Sequence, residues 1–326
     1  MMRIATFNIE NLDDQPGQLP SLAARLPILR AQLERLKADI ICLQEVHGQD
    51  VDGAPRDLSA LETLLAGTRY ENYTLDSTRL ANGRDVERFR NLVFMIAPGY
   101  RFVAPAREIL NDHVEKPVHK FATGNRVGQT TDVGWERPLL YAPIETPTGD
   151  VLHVINAHFK SKRPTRIAGQ GPDNFQWASA AGWAEGFFLS SLKRVGQALE
   201  TRIFVDTLFD DDPEAKIIIC GDINAETSEV PMQAIRGDVG DTGNPALNGR
   251  ILYPLEHTVP ESSRFTLYHR GQKNLLDHLL VSESLLHCYK TTEIHNEIVR
   301  DETTAFAFDT KFPASDHAPI VAEFDT

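Results

Sequence analysis

Short, nearly continuous aliphatic runs recur along the whole chain, and most of them close on a polar residue. They lie at Arg3 to Ile9, Ile40 to Gln44, Leu92 to Ala97, Val151 to Ala157, Lys216 to Cys220, Leu275 to Val281 and His317 to Phe324. Runs this brief and this apolar predict strands covered on both faces. Amphipathic segments fall between them. Leu22 to Lys37 spaces Leu22, Leu26, Leu29, Leu33 and Leu36 three and four residues apart, and Leu189 to Leu208 repeats the pattern through Leu192, Val195, Leu199 and Ile203; both stripes read as helix faces turned to a core. Strands covered by helices predict one large α/β-layered domain over residues 1–326, since no repeat, low-complexity tract or extended Pro/Gly linker divides the chain. Two stretches, Asn111 to Trp135 and Ser161 to Phe188, are expected to be long excursions from it.

Bulk properties exclude several classes. No run of eighteen apolar residues exists to span a bilayer, and the opening MMRIATFNIENL lacks the apolar core and small-residue site of a secretory signal, so a soluble, cytoplasmic protein without membrane contact is expected. Cys42 and Cys220 sit inside apolar runs and read as small buried residues; no paired Cys/His spacing suggests zinc. The formal net charge of -13 opposes a broad polyanion-binding surface. Any polyanion partner therefore needs a local basic groove or a bound cation.

The polar residues that look out of place fall at strand ends. Asn8 closes ATFNIEN, Glu45 follows IICLQ, His158 follows VLHVINA, Asp222 and Asn224 follow IIIC, Asp277 lies in NLLDHLLVS, and Asp316 and His317 precede APIVAEF. Strand termini of a layered sheet face a common rim, so residues distant in sequence converge there. Taken singly each has a plain reading: Asn8 satisfies a turn, Glu45 is a solvated acid, His158 a hydrogen-bonded core histidine, Asp222 a turn cap after Gly221. Their joint occurrence is harder to dismiss.

The ordered series TFNIEN, LQEV, NAHFKSK, GDINAE, LLDHLLVS and SDHAPIV, spanning Thr6 to Val321, resembles the endonuclease/exonuclease/phosphatase superfamily of DNase I-like phosphoesterases. HFKSK, the helix leading into GDINAE, and LLDH are most similar to a bacterial, nuclease-containing branch; Arg137-Pro138 also fits that branch. The resemblance implies an α+β fold of four layers, αββα, with two mixed sheets face to face and helices outside. It also implies that Asn8 and Asp316 assist a metal site near Glu45 and that Asp277 pairs with His317. The segment ERFRNLVFMIA departs from better-known members by lacking a tyrosine, which puts tyrosine assistance to the leaving group in doubt; Asn91 stands there as a substitute phosphate donor.

Residue chemistry points the same way. Carboxylates crowded at one rim need a compensating cation, and an oxygen-rich set without Cys favours Mg2+ or Mn2+, with Glu45 as first ligand. Asp222 can accept the proton of an attacking water or orient it, and Asn224, two residues on and pointing the same way if the segment stays extended, can donate to the phosphoryl oxygen or to the water. His158 and His317 are assigned to phosphate binding and transition-state charge. His278 should face the opposite layer, because neighbouring strand residues alternate. Lys160, Lys162, Arg163 and Arg166, with Phe175, Trp177 and Trp183 beyond them, offer either a track for single-stranded nucleic acid or a solvated charge cluster beside a packed helix. The expected activity is metal-dependent phosphodiester hydrolysis of DNA, or RNA as the other polymer. The alternative is a small phosphoester substrate such as a nucleotide, sugar phosphate or phospholipid headgroup. A silent scaffold would be expected to lack some of Glu45, Asp222, Asn224 and His317, and all four are present. No feature calls for an obligate protein partner.

Overall fold

The computed structural model describes residues 1–172, 176–304 and 311–325. Two sheets form its centre. One has six strands in the order Tyr289–Ile294, Ile320–Phe324, Met2–Leu12, Ile40–Val46, Asn91–Ile96, Thr74–Ser77. The other runs Leu252–Pro254, Asp277–Ser282, Lys216–Asp222, Val151–His158, Leu139–Glu145, Arg101–Phe102, with Arg107–Ile109 also paired to Leu139–Glu145. Both are mixed: Met2–Leu12 pairs parallel with Ile40–Val46, and Val151–His158 parallel with Lys216–Asp222, among antiparallel neighbours.

Side-chain alternation explains the layering. Ile4, Ile40, Cys42, Phe94, Val154, Ile218, Cys220 and Leu279 pack between the sheets. Their neighbours Phe7, Ile41 and Val93 face the helices Leu22–Leu36 and Ser59–Leu65, while Ile155, Ile217, Ile219 and Leu280 face the helix Ala180–Asp211. The aliphatic strands are thus buried on both sides, and the layers run αββα. Cys42, Cys220 and Cys288 are free thiols. Among the described residues no helix is long and apolar enough to cross a membrane.

The helix ahead of the GDINAE segment differs from expectation in extent and in face. It begins at Ala180, inside the stretch read as an excursion, and runs to Asp211. Leu199 of the predicted stripe is 46% exposed, whereas Lys193, Arg194, Gln197 and Glu200 are buried. The polar face is buried because loops satisfy it. Glu200 accepts from the backbone N–H of Asn111, Asp112 and His113 and from the Trp135 indole, tying both ends of the 111–135 excursion to the helix. Within that excursion Val118–Lys120 and Thr130–Asp132 form a hairpin, so it is not irregular throughout. Trp177 packs beside Phe121, Val133, Ile167 and Leu189, while Trp183 is exposed and tilted against Phe187; Phe175 lies outside the described residues.

Along the inward faces, the filling between the sheets changes from apolar to polar toward one rim. After Ile4, Cys42 and Val154 come Thr6, Gln44 and Asn156, all fully buried. The Gln44 amide donates to Asn156 Oδ1 at 2.7 Å across the gap between sheets, and the Asn156 amide donates to the carbonyls of Leu43 and Val93 at 3.0 and 3.2 Å. Removing a partner from such a buried network costs about 1–3 kcal/mol through desolvated groups left unpaired. Asn156→Ala is therefore expected to destabilise the protein by that amount in urea titration, and a stability equal to wild type would show that the bridge carries no net energy.

Candidate active site

The rim beyond this polar layer collects residues from both sheets. Met2–Leu12 supplies Asn8 and Glu10, Ile40–Val46 supplies Glu45, Val151–His158 ends in His158, Lys216–Asp222 ends in Asp222, and Asp277 begins the facing strand, in register with Asp222. Asp316 and His317 enter just before Ile320–Phe324. Gly221 makes the approach of the two central strands feasible: its φ is +138°, and a Cβ there would stand 1.9 Å from the Ala157 carbonyl oxygen.

Asp222 is the hub. Its Oδ2 accepts from the Asn8 amide at 3.1 Å and lies 3.4 Å from His158 Nε2 and 4.0 Å from His317 Nε2. His317 Nδ1 bonds Asp277 Oδ2 at 2.7 Å, so the pairing implied by the resemblance is present. Among the described residues, Asp222, Asp277 and His317 bring ligand-type atoms within 4.8 Å of one another. Because Asp277 and His317 already share a short hydrogen bond, that trio is better suited to handling protons than to gripping an ion. Glu45 Oε1 lies 3.6 Å from His158 Nε2 and 3.5 Å from Arg90 Nε, and Glu45 Oε2 accepts from the Asn11 N–H at 3.1 Å.

The two histidines have different charge states. Burial, reinforced by Arg137 and Arg90, holds His158 well below the ordinary histidine range, hence neutral. Burial also disfavours charge on His317, but the carboxylates of Asp277 and Asp222 outweigh it and raise His317 well above its usual range. Both can still donate to a phosphate oxygen, His158 as a neutral ring and His317 as a cation. Burial pushes Asp222 up to about 7, with repulsion from Asp277 and Glu45 adding to it and His317 and Arg137 opposing it. Burial also raises Glu10 and, much further, Asp316, and these two acids and Glu45 repel one another. An all-oxygen set whose members repel is suited to a hard dication.

Several assignments change in three dimensions. Asn224 is not in an extended segment: its φ is 53°, its N–H donates to Asp222 Oδ1 at 2.9 Å, and its amide donates to the Phe159 carbonyl at 3.2 Å, so a tight turn rather than strand alternation brings it beside Asp222. Asn91 is fully buried, its amide donating to Val46 and Glu87 carbonyls and its oxygen accepting from Glu87 N–H and Thr78 hydroxyl, which leaves nothing for a phosphate. The Lys160 ammonium turns inward, donating to the Ser161 carbonyl and hydroxyl and the Arg163 carbonyl; Lys162 pairs with Glu229 at 2.6 Å. The basic cluster is thus largely committed to its own loop, with Arg163 exposed at its edge. His278 does face away, bonding Glu256 and the Ala225 carbonyl.

Sequence reasoning missed Glu10, Arg25, Arg90 and a role for Arg137. Arg25 interrupts the apolar face of its helix, a signal that was legible. It is buried, and its guanidinium donates to the carbonyls of Ile9, Glu10, Asn11 and Pro313. Glu10 and Asn11 have φ of 50° and 47°, and Glu45, Arg90 and Asn224 share this left-handed region, which is costly for side-chain-bearing residues and concentrates at functional sites. Arg137 donates to the Phe159 carbonyl at 2.7 Å, and burial lowers its pKa to about 10, so it stays cationic near Glu45 and Asp222.

A family model described as the endonuclease/exonuclease/phosphatase family matches residues 149–312, half of the chain. The chain belongs to the endonuclease/exonuclease/phosphatase family. It is accordingly a phosphoester hydrolase of DNase I-like fold, from a family generally dependent on divalent metal. No curated protein matches it in sequence. Among solved structures it is similar to a mannosyl-6-phosphatase of Bacteroides thetaiotaomicron (15% identity, 100% of both chains, TM-score 0.59) and to truncated Caenorhabditis elegans TDP2 (16% identity, 100% of this chain and 98% of that one, TM-score 0.57). A 3' phosphatase from Neisseria, bound to product DNA hairpin, matches at 17% identity over 100% of both chains with a TM-score of 0.52. At these identities the likeness shows the fold.

The raised Asp222 has a pH consequence. Between pH 3.8 and about 7 the unfolded chain ionises this carboxyl while the folded protein keeps its proton, so metal-free stability falls as pH rises through that window. Asp222→Asn should remove that part of the slope. Its stability relative to wild type, followed by thermal melts in chelator, should improve from pH 4 to pH 7 by on the order of a few kcal/mol. A constant difference across that range would refute the raised carboxyl.

Proposed function

We propose that this protein hydrolyses phosphodiester bonds of nucleic acid, DNA foremost, by in-line attack of water, with residues 1–326 acting as one domain. The observation that carries the reading is the convergence of Asp222, neutral His158 and the Asp277–His317 pair beside the Glu10, Glu45 and Asp316 carboxylates, with contributions from both sheets. The rim reaches solvent at its edge, where the Asp316 side chain is 25% exposed and that of Arg90 46%, above the buried Asp222, His158, Asp277 and His317. That openness, and the DNA hairpin held by the Neisseria relative, favour a polymer. The sugar-phosphatase relative supplies the competing reading, a small phosphoester.

In this proposal Glu45, with Asp316, Glu10 and Asn8 beside it, would hold Mg2+ or Mn2+, which when bound neutralises the acids and polarises the phosphate. Asp222 takes the proton of the attacking water at Oδ2, and the Asn8 amide and His158 hold that oxygen in place. His317 donates from Nε2 to a non-bridging oxygen while Asp277, on Nδ1, fixes the ring's orientation and keeps it charged. The Asn224 amide and Arg137, both on the Phe159 carbonyl, brace the turn and add positive potential. Asp222→Asn and His317→Ala should each lower turnover by about 10²–10⁴ while the protein stays folded. Glu45→Gln should raise the Mn2+ concentration needed for half-maximal activity. The assay is a panel of plasmid, single-stranded DNA, RNA and sugar phosphates; cleavage confined to the small molecules would overturn the nuclease reading.

A further inference from the structure

The loop entering the Asn91–Ile96 strand presents a side chain that the chemistry above leaves unused. Phe89 is 60% exposed. Single exposed apolar residues are common and by themselves mean little, but this ring is braced by two neighbours. It stands edge-on to His47, with ring centroids 5.2 Å apart at 78°, and the Arg88 guanidinium carbon lies 5.4 Å from its centroid. His47 is itself fixed by Asn11 Oδ1 at 3.1 Å and Asp13 Oδ2 at 3.3 Å. Two hydrogen bonds of the Asn91 side chain tie it to Glu87 and so clamp both ends of the loop, and two more anchor it to Thr78 and Val46.

This bracing also positions the ring relative to the chemistry. Asn11, which holds His47, donates its N–H to Glu45, and Arg90, the residue after Phe89, takes a left-handed φ of 61° that carries its Nε to 3.5 Å from Glu45. The exposed ring is thus attached to the catalytic rim through two independent links, one along the backbone and one through His47 and Asn11. With Lys160 committed to its own loop and Lys162 to Glu229, Arg90 is the cation that meets the rim on this side, while Arg88 lies beside the ring and 3.9 Å from Asp50.

We infer that Phe89 is a stacking platform for the nucleobase beside the scissile phosphate, with Arg90 the adjoining cation. The inference rests on the nucleic-acid reading above and names which part of such a substrate this side of the rim takes. A base offers a flat π-face of any sequence, and a sugar phosphate offers none. An acidic chain whose HFKSK lysines are engaged by their own loop and by Glu229 can hold a single strand locally through one such stack and a neighbouring guanidinium.

The test compares Phe89→Ala and Phe89→Trp with wild type on a single-stranded oligodeoxynucleotide and on an abasic oligomer of the same length. Phe89→Ala should raise KM for the base-bearing strand roughly ten-fold, the loss of one base–aromatic stack, with kcat unchanged. It should leave KM for the abasic oligomer as it was, and Phe89→Trp should restore binding. Equal effects on both oligomers, or no effect on either, would overturn the platform while leaving the nuclease reading intact. A wild-type enzyme that cleaves sugar phosphates and neither oligomer would remove both.

Discussion

The Gln44–Asn156 hydrogen bond joins the two sheets at the level where their shared filling stops being hydrocarbon. Two twisted sheets packed only through Ile, Val and Leu can slide, because dispersion contacts are non-directional. A buried amide pair cannot, since displacement leaves desolvated donors and acceptors unpaired. Thr6, Gln44 and Asn156 therefore fix the register between the sheets one residue pair below Asn8, His158 and Asp222. The polar rim, and with it the proposed active site, inherits that register.

Above the bridge, the structure concentrates features that oppose folding. Asp222 and Asp316 are held where their ionised forms are disfavoured, and several non-glycine residues adopt left-handed backbone. The supports are specific: Arg25 binds the carbonyls of the Glu10–Asn11 turn, Arg137 and Asn224 share the Phe159 carbonyl, and Gly221 lets the two central strands close. Such an arrangement persists only where its surroundings over-determine it, and it is the arrangement that a bound dication would relieve. Preorganisation for charge and cost in stability have the same origin here.

The acidic net charge shapes how a polyanion can be met. Lysines that look available in HFKSK are consumed by carbonyls of their own loop and by Glu229, and the long helix buries Lys193 and Arg194 to hold the loops beside it. Positive charge at the rim comes instead from His317, Arg137 and Arg90, each set against a carboxylate. Recognition in the proposed mechanism is consequently local, at one phosphate and its neighbours, rather than spread over a surface.

The sequence by itself indicated strands covered on both faces within one layered domain, while the αββα order followed from the likeness of its motif series to a known family, because aliphatic strands alone fit several packings. It also pointed to most rim residues, because polar side chains closing such strands converge on one rim and their ordered motifs jointly resemble a known family. Asp222, Asp277, His158, His317, Glu45 and Asp316 were legible on that ground. Only the tertiary structure decided what depends on non-local partners. It showed that Asn224 reaches Asp222 through a left-handed turn, that Asn91 and Lys160 are spent internally, and that the long helix buries its charged face. It set the two histidines in surroundings that push their protonation in opposite directions. The reason in each case is that a polar group's state is set by which distant atoms satisfy it, and a linear pattern records periodicity but not those partners.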